Sequence, residues 1–269
     1  MINWEWTDAD NKFLYELCEK LRDNIPFTFS RWGDGEWRNL THDHPNFSLD
    51  EEKEMTVILS EHISGVGFDK PFHMIDTLHD IQKEGKANID GNVYYKDLGD
   101  RLKEIVSVKQ NYYMGYMNTP FTNVDGLPIH DIMKKKYPQD WVNSDILHGL
   151  SFKQGMPYFF ELLNSNNVVY VGNKSFKPLS FINEFVEIPY LNVWKNYDDT
   201  LNKIKELIDD KTHKTFLFSA GMATNVFVHD LWEFNKNNTY MDVGSVFDPY
   251  VGRRTRGYHN AFAKVKKPN

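Results

Sequence analysis

Between Met156 and Val243, short apolar runs alternate with amphipathic stretches, and few folds accept that order. Pro157 to Asn164 reads as a helix, and Val168-Val169-Tyr170-Val171 as a buried strand. Phe176 to Phe185 reads as helical and Val186 to Tyr190 as an edge strand. Asp198 to Asp209 then reads as an amphipathic helix, Thr215 to Phe218 as a strand, Met222 to Phe234 as a helix and Thr239 to Val243 as a strand. Parallel neighbours need a crossover of a dozen residues or more, usually a helix, so this alternation implies βαβ units. The predicted class is α/β: a Rossmann-like, mostly parallel sheet flanked by helices. The 269 residues can bury a sizeable core, and we read residues 1–269 as a single domain with a basic extension from about 250 to 269.

The N-terminal part fits the same plan. Thr7 and Asp10 have capping-box spacing at the start of a helix running to Asp23, with Phe13, Leu14, Leu17, Cys18 and Leu21 on one face. Ile25 to Phe29 then reads as a buried strand that runs into the turn Ser30-Arg31-Trp32-Gly33-Asp34-Gly35-Glu36. Further helices are predicted at Ser48–Ile63, Leu98–Val108 and Ile129–Lys136, and a strand at Asn111–Met117. Trp141 to Phe152 reads as a loop holding His148 beside Gly149, either a structural histidine or part of an active site.

Ligands of an open parallel sheet bind beyond the carboxyl ends of its strands. Four such ends carry polar or glycine-rich turns: 30–36, 172–175, 219–224 and 242–245. In an extended segment Asp34 and Glu36 point to one side, and two converging carboxylates repel unless a cation lies between them. Oxygen donors of that kind suit Mg²⁺ or Mn²⁺. A tight turn with solvated acids is the alternative. The turn Ser219 to Thr224 opens a helix directly after a strand, so free N–H groups there favour a phosphate. It lacks both the GK[ST] ending of a Walker A loop and the GxGxxG pattern. Lys174 and Arg31 offer charge pairing to phosphate.

Charge and composition narrow the partners. The formal net charge of −7 argues against a protein that coats nucleic acid. The basic end is the exception: Arg253, Arg254, Arg256, Lys264, Lys266 and Lys267 stand against only Asp248 after Phe247. No apolar run approaches the roughly 20 residues of a membrane span, and the first residues lack the pattern of a signal peptide. With the single cysteine Cys18 unable to form an internal disulfide, a cytoplasmic location is expected. His42-Asp43-His44 is a further metal candidate, although contiguous residues rarely all reach one ion.

Arg31-Trp32-Gly33-Asp34-Gly35-Glu36 resembles the R-[FYW]-G-D-G-E mark of the GT-D type of glycosyltransferase, a bacterial family first catalogued as a domain of unknown function. Val171-Gly172-Asn173-Lys174 resembles that family's Val-Gly-Asx/Lys-Lys strand end. The segment from Pro189 to Asp198 resembles its PxxNxxxxYD, and Ser219 to Leu231 its LGxxAxxLAxDL helix start. Asp242-Val243-Gly244-Ser245 resembles its DIGH strand end, with Ser245 in place of the histidine. The match covers about residues 10–40 and 165–250. It implies transfer of a sugar from a nucleotide diphosphate donor, UDP-linked in the first instance. Asp34 and Glu36 would hold Mn²⁺ or Mg²⁺. Arg31, Trp32, Gly33, Gly35, Gly172, Lys174, Ser219, Gly221, Thr224 and Asp242 would surround the donor. Inverting transfer needs a base, for which Asp248 is expected and His148 is the alternative. The acceptor is read as a glycan or glycoprotein, with a hydroxymethylated DNA base of the bacteriophage kind as the alternative; Arg253, Arg254 and Arg256 lie on that side. A non-enzymatic nucleotide-binding module and a metal-dependent phosphohydrolase are the readings from other classes.

Overall fold

The computed structural model describes residues 6–33, 36, 96–106, 111–116, 140–152, 155–189 and 193–253. The helices expected at Ser48–Ile63 and Ile129–Lys136, the His42-Asp43-His44 run, and Asp34, Gly35, Arg254 and Arg256 fall outside these residues.

The described residues form one seven-stranded sheet. Its strands are β1 (Thr28–Trp32), β2 (Tyr112–Tyr116), β3 (Trp141–Asn143), β4 (Val168–Gly172), β5 (Glu184–Glu187), β6 (Thr215–Phe218) and β7 (Thr239–Asp242). The spatial order is β3-β2-β1-β7-β6-β4-β5, and every pair is parallel. β1 lies inside the sheet, with Thr28 opposite Tyr112 of β2 on one side and Tyr240 of β7 on the other. The expected α/β architecture is therefore the observed one. Among the described residues no helix is long and apolar enough to cross a membrane.

Two apolar clusters, one per face, hold the helices to this sheet. Side chains alternate along a strand. Val169 and Val171 of β4, with Phe216 and Phe218 of β6, enter one cluster, and Val168, Tyr170 and Leu217 enter the other. The first face is covered by α2 (Lys96–Ile105), α5 (Tyr197–Glu206) and α6 (Ala223–Phe234). The second is covered by α1 (Asp8–Arg22), α3 (Ile146–Phe152) and α4 (Met156–Asn164). The predicted capping box at α1 is present: Asp10 N donates to Thr7 Oγ1 at 3.1 Å, and Thr7 N to Asp10 Oδ2 at 2.8 Å. On the first face, Asp230 of α6 accepts from Arg101 Nη2 of α2 at 2.7 Å and from the Tyr197 hydroxyl of α5 at 2.8 Å. One carboxylate thus joins three helices.

Three local readings are corrected. The first strand runs from Thr28 to Trp32 rather than Ile25 to Phe29, because Thr28 N bonds Asn111 O and the ladder with β2 continues through Trp32. Phe176 to Phe185 is not a helix. A 3-10 turn at Lys174–Phe176 gives way to successive tight turns, with Leu179 N on Phe176 O and Ile182 N on Leu179 O. Pro178 has no N–H for an α-helical ladder, and Asn183 spends its side chain on Val168 N at 2.7 Å. Trp141 to Phe152 is not a loop: it contains β3 and α3, so His148 sits on a helix.

Gly115 of β2 shows how tightly the β2–β3 edge is packed. A Cβ there would lie 2.8 Å from Ser144 Cβ and 2.9 Å from Ser144 Cα, and the latter is backbone that cannot step aside cheaply. Gly115→Ala is expected to lower stability by about 1–3 kcal/mol, read as a lower urea midpoint at unchanged slope.

Candidate functional site

Arg31 is the penultimate residue of β1, and its side chain is only 14% exposed. Its Nε donates to the Ser144 carbonyl at 3.1 Å, and its Nη2 lies 3.7 Å from Asp145 Oδ1. The guanidinium also presses on the turn after β7. A Cβ on Gly244 would come within 2.1 Å of Arg31 Nη1, and Gly244 has φ +49°, so glycine is required there twice over. Asp242, at the end of β7, accepts from Gly244 N at 2.9 Å. Burial pushes its carboxyl up to about 6, against the opposing pull of Arg31's charge and of the Gly244 and Arg31 N–H groups.

Asp145 belongs to the turn between β3 and α3, where its N–H donates to Asn143 Oδ1 at 2.8 Å. One turn later on α3, His148 is 2% exposed. Its Nδ1 is 4.0 Å from Asp145 Oδ1, and its Nε2 is 3.3 Å from the hydroxyl of half-buried Ser245. A carboxylate, an imidazole and a hydroxyl therefore stand in a row at the carboxyl edge of the sheet.

The remaining expected site residues are distributed over the neighbouring strand ends. At β1, Gly33 N donates to Glu36 Oε2 at 2.8 Å. Trp32 is fully buried in the core with Leu98 and Leu102, so its ring is not offered to a ligand. At β6, the Ser219 hydroxyl donates to Gly244 O at 2.6 Å, which leaves Tyr170 OH, 2.7 Å away, as the donor to Ser219. Gly221 is exposed with φ +61°, and no atom lies within 4 Å of where its Cβ would be. Buried Thr224 accepts from Ala220 N at 3.3 Å and closes that turn. The first turn of α6 has no side-chain cap, and Asn225 within it is fully buried with neither amide atom hydrogen-bonded among the described residues. At β4, Gly172 is packed by Tyr170 and Phe176, whereas Lys174 is exposed.

Asp248, expected as the base, is 3% exposed, and its carboxylate lies 3.8 Å from Arg253 Nη1. The same Arg253 nitrogen donates to Ser175 Oγ at 3.1 Å, and the guanidinium carbon sits 5.2 Å from the centre of the Phe176 ring. Arg253 thus fastens the last described turn to the exit of β4. Among the described residues no three His, Cys, Asp or Glu side chains converge as a metal site. Sequence reasoning overlooked Asp145, Tyr170 and Asn225. The signal for Asp145 was the Asn143-Ser144-Asp145 turn directly after an apolar pair.

With this geometry in hand, comparison with solved structures finds one described as "The highly conserved domain of unknown function 1792 has a distinct glycosyltransferase fold". The TM-score is 0.50 at 15% identity, covering 95% of this chain and 84% of that chain. The chain therefore has a Rossmann-like fold of the GT-D type. No protein-family model and no curated protein sequence matches it.

The raised carboxyl of Asp242 carries a pH signature. In the folded state it holds its proton to about 6, against 3.8 ordinarily, so the fold binds more protons in that window. The contribution is full below the ordinary value and is lost as pH rises through about 6, on the order of 3 kcal/mol in all. Asp242→Asn is expected to remove this slope, measured as the difference in urea stability between variant and wild type from pH 4 to pH 7.

Proposed function

We propose that this protein is a glycosyltransferase that moves a sugar from a nucleotide diphosphate donor, UDP-linked in the first instance, to a hydroxyl of a glycan or glycoprotein. One observation carries the reading: the Arg31 to Glu36 motif leaves the carboxyl end of β1, an interior strand of a GT-D-type sheet. The donor set fits a divalent cation. Asp34 and Glu36 would supply the hard carboxylate oxygens that such an ion takes. Mn²⁺ or Mg²⁺ bound there supplies positive charge against the diphosphate as the sugar departs. The uncapped start of α6, open at Gly221, supports a role in holding phosphate through backbone N–H groups. Exposed Lys174 can add charge from the next strand end. Arg31 and Asp242 serve the site from beneath: they are turned into the protein, and they hold the β1, β3 and β7 exits together.

A nucleic-acid acceptor draws its support from the arginine cluster, and the described member of that cluster is already engaged with Asp248, Ser175 and Phe176. The glycan reading is therefore preferred.

Release of nucleotide from a panel of UDP- and GDP-sugars tests the proposal without knowledge of the acceptor. One donor is expected to be hydrolysed with Mn²⁺ present, and Asp34→Asn should slow this by about 100-fold or more. No release and no calorimetric binding of UDP or GDP would overturn the reading. Nucleotide binding without turnover, unchanged in Asp34→Asn, would point instead to a binding module.

A further inference from the structure

Asp145, His148 and Ser245 form a row that the donor site does not account for. His148 and Asp145 are almost fully buried, so neither can touch an acceptor. Ser245 is half-buried, three residues past the end of β7, the strand next to the one that carries the carboxylate motif. Its hydroxyl is the point where the buried pair meets the carboxyl edge of the sheet.

We infer that Ser245 and His148 are the base that activates the acceptor hydroxyl, with Asp145 as a positioning residue; this rests on the transferase reading. The acceptor O–H proton passes to Ser245 Oγ as the proton of Ser245 passes to His148 Nε2. The acceptor oxygen forms its bond to the anomeric carbon, and the bond from that carbon to the diphosphate oxygen breaks with its electron pair on the leaving nucleotide. His148 is left as an imidazolium and returns its proton to solvent by way of Ser245 when product leaves. This requires His148 to carry its resting proton on Nδ1, the nitrogen that faces Asp145 at 4.0 Å. That contact is longer than a hydrogen bond, as such contacts often are before substrate binds. Arg31 is divided between Asp145 and Asp242, so the imidazolium forms beside carboxylate charge rather than beside a lone cation. Asp248 is the weaker base on this geometry, because Arg253 stands against its buried carboxylate.

Donor hydrolysis reads this directly, since water then occupies the acceptor position and needs the same base. Ser245→Ala removes one half-buried oxygen and should fold normally. It is expected to lower kcat about 100-fold or more, with KM for the donor and the calorimetric affinity for UDP with Mn²⁺ unchanged. His148→Gln should cost about as much, the double variant no more than either alone, and Ser245→Thr should restore activity. Ser245→Ala that binds UDP normally and hydrolyses donor within about threefold of wild type would overturn the relay while leaving the transferase reading intact. If the wild type neither hydrolyses a donor nor binds UDP or GDP, the transferase reading has failed on its own, and nitrogen NMR of the His148 ring judges the pair. An Nδ1-protonated ring whose Nε2 resonance moves in Ser245→Ala supports the relay, and an Nε2-protonated ring overturns it.

Discussion

The largely buried guanidinium of Arg31 is the contact on which the carboxyl edge of the sheet depends. A strand end is a loose thing in a parallel sheet, because nothing in the ladder fixes where the following turn goes. Here one planar cation reaches three of them: its own β1, the Ser144–Asp145 turn after β3, and the Gly244 turn after β7. Burying that charge without partners would cost several kcal/mol, and Asp145 and Asp242 supply the compensation. The raised carboxyl of Asp242 shows that the compensation is shared rather than complete. Gly244 is the steric counterpart, since any side chain there would occupy the space of the guanidinium.

A second set of ties works alongside the first. The Tyr170 hydroxyl, Ser219 and the Gly244 carbonyl link the exits of β4, β6 and β7 in one chain of hydrogen bonds. Arg253 adds a link from the last described turn to Ser175. A preorganised edge of this sort suits chemistry in which charge develops at a fixed place, because the dipoles need not reorganise as it does so.

Much of this was legible in the chain. The strands at Val168 and Thr215 announce themselves as short, largely apolar runs, and the helix at Asp8 as a capped amphipathic face, because burial dictates both patterns. Arg31, Ser219 and Asp242 stand out in the sequence because strand ends are where side chains escape the ladder. What escaped was decided by contacts distant in sequence. Nothing local says that the Arg31 side chain turns inward to a carbonyl 113 residues away. The same holds for His148, which meets a serine 97 residues later. The missed turns at 176–183 have a different cause: the apolar spacing there is helical, and Pro178 with Asn183 overrides it.

The order of strands has a consequence for how the protein comes into being. β1 is made early, yet one of its two neighbours is β7, whose residues follow more than two hundred positions later. Until β7 arrives, an interior strand has an open flank, and Arg31 lacks both Asp242 and the Gly244 turn. Contacts of such separation form late and slowly, because the loop must be closed before the pairing rewards it. The carboxyl edge around Arg31 is therefore the last part of the sheet to be completed, and a chain still being synthesised has only a half-built sheet.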